Sequence, residues 1–312
     1  MNLAINLIQA FLLVAIAPLV GGVIARCKAQ MQNRHGANVW RPYAELLKLF
    51  RKEDLIPDTA SVIFRFTPVI LFAATVAAAA FVPVLHPSAI FGVSGDIILL
   101  VYLLAMGRFF LMLGAMDGGS SFGGLGASRE ALISALAEAP LMLALISVAI
   151  ISHSVSLSGI VLATALQDPL HLSAAYAFAL GALALIAIAE TGRIPVDNPT
   201  THLELTMIHE AMTLEYSGPS LALVEWASAI KLTLILALLA GFFAPWGMAM
   251  NNSIVALLLA PLAFVFKLAL LATVIAVVES SIAKLRIYLI SDFLGMASAL
   301  AILAVAFTAL MR

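Results

Sequence analysis

The sequence predicts an all-α integral membrane protein of about eight transmembrane helices, with an amphipathic surface helix in its first long loop. Three observations carry this expectation. Of 312 residues, 63% are apolar and only 11% charged, less than half the quarter or so that soluble domains carry. Eight apolar stretches approach or exceed the roughly 20 residues that cross about 30 Å of hydrocarbon. None alternates with the period of two that marks a membrane barrel strand.

In chain order the expected spans are Leu3–Ala25, Val62–Leu85, Ile97–Met116, Ala131–Ile151, Ala174–Glu190, Leu221–Phe243, Ile254–Val278 and Leu289–Met311, within one polytopic membrane domain covering 1–312. No cation precedes the first span; the first, Arg26, follows it. That pattern argues for an uncleaved anchor rather than a signal peptide. A pI near 6.6 and a net charge of −1 give no footprint for nucleic acid, so the bilayer is the expected partner. The single cysteine, Cys27, excludes an internal disulfide, a Cys-ligated zinc site and an iron–sulfur cluster within the chain. A soluble enzyme, a secreted disulfide scaffold and a DNA-binding module are excluded.

Orientation follows from the cations. Loops after odd-numbered spans hold Arg26, Lys28, Arg34, Arg41, Lys48, Arg51, Lys52, Arg129, Arg193, Lys284 and Arg286, whereas loops after spans two, four and six hold none. By the positive-inside rule the odd loops are cytoplasmic and both termini lie outside. Only Asp96 and Asp168 of the carboxylates fall on the outer side. Acidic residues do not set topology, so their gathering at the cytoplasmic side points to function.

The first loop, 26–61, contains a segment from Trp40 to Phe50 in which Pro42 suits a first helical turn. Tyr43, Leu46, Leu47 and Phe50 then form an i, i+3, i+4, i+7 stripe, with Glu45, Lys48, Arg51 and Lys52 opposite. Such a helix lies in the interface. Arg34, Trp40, Arg41, Lys48 and Arg51 are the residues expected to dock a peripheral partner. In the loop from Glu190 to Pro219, Asn198-Pro199 reads as a helix start and Gly218-Pro219 as a stop. Between them about one helix carries His202, Glu204, His209, Glu210 and Glu215 among apolar residues. His202 and His209 are seven apart with Glu204 well round the helix, unlike the i, i+4 pair of zinc hydrolases, so no metal site is expected. His35, His86, His153, His171, His202 and His209 all fall in loops, which disfavours haem ligation at mid-membrane. The glycine-rich 118–124 segment lacks the P-loop lysine and reads as a tight inter-helix loop.

Ionisable residues inside spans cost about 2.5–3.5 kcal/mol on insertion scales and need a partner or a pathway. Glu138 in span four is the clearest case, with Arg108 in span three, Glu225 and Lys231 in span six and Lys267 in span seven. A buried carboxylate can trade protons near neutral pH. Asp117, Glu130, Glu138, Glu190, Asp197, Glu204, Glu210 and Glu215 are therefore the candidate proton-accepting sites. Arg108, Arg129, Arg193, Lys231, Lys267 and Arg286 are their expected charge partners.

The 33–50 segment, Asn-Arg-His-Gly-Ala-Asn-Val-Trp-Arg-Pro-Tyr-Ala-Glu-Leu-Leu-Lys-Leu-Phe, resembles the first loop of respiratory complex I subunit 1. Ala-Glu-Thr-Gly-Arg-Ile-Pro-Val-Asp at 189–197 and Glu-Tyr-Ser-Gly-Pro at 215–219 are similar to loop signatures of that superfamily. Arg-Phe-Phe at 108–110, Asp-Gly-Gly-Ser-Ser-Phe from Asp117 and Gly-Ala-Ser-Arg-Glu at 126–130 look like its hydrogenase branch, which contains formate hydrogenlyase subunit 4 and hydrogenase-4 component C. The resemblance covers essentially the whole chain.

It implies a non-catalytic membrane-anchor and proton-coupling subunit of a multi-subunit oxidoreductase, most like a membrane-bound [NiFe] hydrogenase, in a bacterial or archaeal cytoplasmic membrane. The [NiFe] centre and iron–sulfur clusters would lie in partner large, small and iron–sulfur subunits on the cytoplasmic side, and antiporter-like subunits would adjoin within the membrane. Glu138 and Glu190 match family acidic positions, 197–215 the acidic loop and Arg193 its arginine. Val-Asp-Asn-Pro-Thr-Thr-His stands where many relatives have Phe-Asp and a denser run of glutamates, and Ala37-Asn38 replaces a Gly-Pro pairing. Those departures argue against a conventional quinone headgroup site. Two alternatives stay open: a quinone-site subunit of a complex I-type dehydrogenase, and a self-contained ion-coupled transporter. Transporters often carry inverted repeats; the two long loops here have different motifs, and Pro140 and Pro261 alone are weak signs of broken helices.

Overall fold

The computed structural model describes residues 2–87, 96–166, 173–198, 207–250 and 253–310. Among them are eleven helices: α1 Asn2–Met31, α2 Arg41–Phe50, α3 Val62–Phe81, α4 Asp96–Asp117, α5 Ser121–Ile151, α6 Leu157–Leu166, α7 Ala174–Glu190, α8 His209–Thr213, α9 Gly218–Phe243, α10 Ile254–Ser281 and α11 Leu289–Leu310. No strand occurs among the described residues. Seven helices (α1, α3, α4, α5, α9, α10 and α11) are long and apolar enough to cross a membrane. The remaining expected span is α7, an apolar helix of 17 residues.

The packing is set by small residues. Ala179 and Ala182 of α7 and Ala297, Ala301 and Ala304 of α11 are fully buried where these helices meet, because alanines let backbones approach closely. α5 packs against α4, α7 and α11, α3 lies between α4 and α9, and α1 bridges α9 and α10. The outer faces stay apolar: Phe11 is 74% and Leu262 68% exposed, a surface that water would penalise and lipid does not. The chain is a multi-pass membrane protein.

Contacts between connecting segments define two ends. At one, Thr59 donates to the Gly118 carbonyl at 3.2 Å, the Leu55 amide to Ser217 Oγ at 2.7 Å, and Ser220 to Asp54 at 2.5 Å. The loops holding all the loop cations meet here. At the other end, the Ala249 amide donates to the Leu85 carbonyl at 2.9 Å and the Leu157 amide to Asp96 at 2.7 Å. The helix alternation follows the expected span order.

Several boundaries differ from expectation. α5 begins at Ser121, ten residues before the expected span. The glycine-rich stretch read as a loop is largely its first turns, with Ser120 Oγ accepting from the Gly123 amide at 3.0 Å. Gly126 is needed there for contact: a β-carbon would come within 2.9 Å of the Ile208 carbonyl oxygen. α6 lies in what read as outer loop, anchored by Asp96. Gly218-Pro219 opens α9 rather than stopping a helix, since proline tolerates the first turn. Of the single helix expected between 198 and 218, the described part is the short α8, which begins at His209. His202 and Glu204, like Asp168 and His171, lie outside the described residues.

Asp117, read as a proton-accepting candidate, is built into the fold. Its Oδ2 accepts from the Ser61 amide and hydroxyl, both at 2.8 Å, and from the Phe64 amide at 3.1 Å. It thereby caps α3 from the end of α4. Beside it Tyr216 stacks on Phe64 at 4.2 Å, and burial pushes the Tyr216 phenol pKa up, so it stays protonated. Losing an N-cap acceptor costs about 0.5–2 kcal/mol. Asp117→Ala should therefore lower the thermal unfolding midpoint of the detergent-solubilised protein, with Asp117→Asn intermediate. Unchanged stability in both variants would contradict the capping role.

Candidate functional site

α7 ends in a way that places two charges in opposite directions. The Gly192 amide bonds the Ala189 carbonyl at 3.2 Å and the Arg193 amide the Ile188 carbonyl at 3.0 Å, the paired bonds of a Schellman cap. Gly192 occupies the left-handed position at φ +58, which a β-carbon would strain. The chain then turns, with the Val196 amide on the Arg193 carbonyl at 2.8 Å. Glu190, just before the cap, points into the bundle; Arg193, just after it, reaches α10.

Glu190 is 8% exposed and takes two cations. Arg108 Nη1 of α4 lies 2.5 Å from Oε1, and Lys231 Nζ of α9 lies 2.9 Å from Oε2. Glu279 at the end of α10 likewise takes Lys28 of α1 at 2.7 Å and Arg193 at 3.2 Å. Asp197, only 2% exposed, accepts from Lys284 at 2.8 Å, from the His209 amide at 3.0 Å and from the Asn198 amide at 2.8 Å. Segment 190–197 therefore ties five helices and the α10–α11 connection together through charge-assisted bonds, which are the strong ones.

Arg108, Glu190, Arg193, Asp197 and Lys231 border one cavity of about 510 Å³. Its wall brings together the predicted Arg108, Glu130, Glu190, Arg193, Asp197, Glu210 and Lys231 from α4, α5, α7, the 191–197 turn, α8 and α9. It also includes Glu45, Glu225, His209 and Ser228, none of which the sequence marked as a proton site. The signal was present for Glu225, an ionisable residue inside a span; Glu45 was placed on the face of α2 opposite its apolar stripe, and it is exposed as well as bordering the cavity. A second, wholly apolar pocket of about 30 Å³ lies behind Glu190, lined by residues such as Leu104, Leu145 and Leu239. Glu190 thus stands between a polar cavity and apolar packing.

Other candidates lie elsewhere. Glu138 is half-buried on α5 and outside the cavity wall, about 12 Å along the helix from Glu130 at 1.5 Å per residue. Glu215 is half-buried beside Gly118. Arg129 donates to the Met207 carbonyl at 3.0 Å, holding α5 to the approach to α8. Lys267 was expected to pair with a carboxylate; instead its ammonium lies 4.9 Å from the centre of the Trp246 ring. Glu279, the acid on the same helix, is about 18 Å away by helical rise and already engaged. A desolvated cation–π contact is worth about 2 kcal/mol. Arg286 bonds the Tyr288 hydroxyl at 2.9 Å.

On the first-loop surface, Arg34, Trp40, Arg41, Lys48 and Arg51 are exposed. Arg41 pairs with Glu45 at 2.6 Å, and Arg34 bonds the Gln32 side chain. The expected apolar stripe of α2 divides. Tyr43 donates to the Ala15 carbonyl and Leu46 is buried, whereas Leu47 is 60% exposed. The reason is that α2 crosses α1 and α9 along one edge only, with Phe50 6.4 Å from Trp226. Partial burial pushes the Tyr43 phenol up. Among the described residues, no three His, Cys, Asp or Glu side chains are grouped to hold a metal ion.

The family model described as NADH dehydrogenase matches residues 3–310. The chain belongs to the NADH dehydrogenase family. Formate hydrogenlyase subunit 4 of Escherichia coli (strain K12) is 34% identical over 287 residues, covering 92% of each chain. Hydrogenase-4 component C of the same organism is 33% identical over 300 residues, covering 96% of this chain and 93% of the relative. Among solved structures, a chain of the membrane-bound sulfane sulfur reductase, an archaeal respiratory membrane complex, superposes with a TM-score of 0.86 at 21% identity, covering 98% of this chain and 99% of that one. That likeness establishes the fold of this family member.

Removing one partner of a buried ion pair leaves an uncompensated charge and costs about 3–5 kcal/mol. Glu190→Gln strands Arg108 and Lys231 and should lower the unfolding midpoint sharply. Adding Lys231→Met to Glu190→Gln should recover part of the loss. Strict additivity of the two substitutions in a thermal-melt cycle would show that the pair is not coupled.

Proposed function

We propose that this chain is the membrane-anchor and coupling subunit of a multi-subunit, hydrogenase-like oxidoreductase. It joins redox chemistry in peripheral subunits to ion movement across the membrane. Its relatives with hydrogenase names and the family model support this reading. The observation that carries it is the Arg108–Glu190–Lys231 cluster set between a polar cavity and an apolar interior. The cation-rich end faces the cytoplasm, with both termini outside, in a bacterial or archaeal inner membrane. The large, small and iron–sulfur subunits dock there against the exposed α2 surface, and they hold the [NiFe] and iron–sulfur centres. Antiporter-like subunits adjoin in the bilayer.

Within this chain the coupling step is electrostatic. A change of charge near the cavity mouth alters the balance around Glu190, and Glu130, Glu204, Glu210 and Glu215 take up or release protons in response, while Asp197 stays held by Lys284 and two backbone amides. The coupling requires that the two redox states interact differently with this cluster. Glu138 extends the acidic sites deeper along α5. A second reading is favoured by the cavity itself: about 510 Å³ lies within the 300–1,000 Å³ or so of small-molecule sites. The chain would then line a quinone site of a complex I-type dehydrogenase.

The deciding experiment is to tag the chain, extract it in mild detergent, identify what co-purifies and assay hydrogen evolution. Nickel–iron and iron–sulfur subunits with hydrogen evolution are the expected result. Quinone reduction without hydrogenase activity would favour the second reading. A lone, monodisperse protein that binds a solute would overturn both in favour of a transporter. In the assembled complex, Glu130→Gln and Glu138→Gln should reduce coupled proton movement several-fold more than assembly. Equal loss of both would mark those residues as structural.

A further inference from the structure

His209 was weighed as a metal ligand, and no metal-holding group of side chains includes it among the described residues. Its placement suits a different task. α8 presents it to the cavity wall, half-buried. Its backbone amide is held by Asp197 at 3.0 Å, and one ring nitrogen, Nε2, lies 3.1 Å from Ser228 Oγ on α9. Ser228 stands one turn before Lys231 on the same helix, and Lys231 holds Glu190 at 2.9 Å.

We infer that His209 is the proton-loading residue of this cavity, taking one proton from cavity water and returning it to water as the charge around Glu190 changes. The balance is simple: a neutral imidazole plus one proton becomes imidazolium, with no other bond made or broken. Ser228 is what permits this. A hydroxyl both donates and accepts, so it pairs with Nε2 in either protonation state and the geometry survives loading. The wall's other engaged acids lack that freedom, since Glu190 is taken by two cations and Asp197 by a lysine and two amides. The charged groups in the same wall are Glu210 on its own helix, Glu190, Arg193 and Asp197 from α7 and its turn, Glu225 and Lys231 from α9, Glu130 from α5, Arg108 from α4 and Glu45 from α2; Lys284 bonds Asp197 and Arg129 the Met207 carbonyl just outside it. A change of charge in the Glu190 cluster reaches the His209 ring through Lys231 and Ser228, one turn apart on α9.

The assignment rests on the coupling reading above. It is tested in the intact complex, in inside-out vesicles, with a pH-sensitive dye for proton movement and an electrode for hydrogen. Wild type should show a number of protons moved per hydrogen that varies with pH. His209→Gln, which keeps a side-chain donor for Ser228 without titrating, should flatten that profile and lower the ratio several-fold, while uncoupled hydrogen evolution persists. Ser228→Ala should move the midpoint of the profile, and it decides the matter where His209→Gln fails to assemble. Wild-type profiles in either assembled variant would overturn the assignment while leaving the coupling reading intact. No proton movement by the wild-type complex at any pH would remove the coupling reading itself.

Discussion

One carboxylate between two cations organises this protein. Arg108, Glu190 and Lys231 sit on three helices, in surroundings where a lone charge costs several kcal/mol. None of the three is tolerable there without the others. The arrangement places two positive charges against one negative, so the site stays responsive to any further charge nearby. Because a polar cavity borders it on one side and leucine packing on the other, that response is directed toward the cavity.

The 190–197 turn converts this local balance into a structural one. Its Schellman cap separates Glu190 from Arg193, so one short segment serves the α4–α9 cluster and the α1–α10 cluster together. Asp197 adds Lys284 and the start of α8. Changing the charge at any of these points therefore changes the load on the others. This is the physical content of coupling between a peripheral event and the membrane: two states of a tied network with different interaction energies. The family relationship fits a chain that assembles with others, and so does the cationic edge of α2, where Leu47 and Lys48 are exposed among the described residues.

Much of the fold was legible in the sequence because hydropathy is a property of contiguous residues. All eight expected spans are helices, and the cation bias matches the two ends defined by the loop contacts. Legibility failed where tertiary contact decides local structure. The first turns of α5 looked like a glycine loop, since the reason for Gly126, the nearby Ile208 carbonyl, lies 82 residues away. Gly218-Pro219 looked like a terminator because proline near glycine fits either end of a helix. At the site, Glu190, Arg108 and Lys231 were all named in advance, but their union was not, as pairing across separate helices leaves no spacing signal. Lys267 shows the same gap: its partner is an aromatic ring, which no charge pattern announces. Glu45 and His209 entered the cavity only through the way α2 packs on α9 and α8 packs on α5 and α4.

The most direct measurement is redox-difference infrared spectroscopy on the intact complex, comparing wild type with Glu190→Gln. If the Glu190 cluster senses the redox state of the peripheral subunits, wild type shows a carboxylate band that changes between oxidised and reduced forms and is missing in the variant. Identical difference spectra from an assembled, active variant would mean that Glu190 holds the fold together and takes no part in coupling.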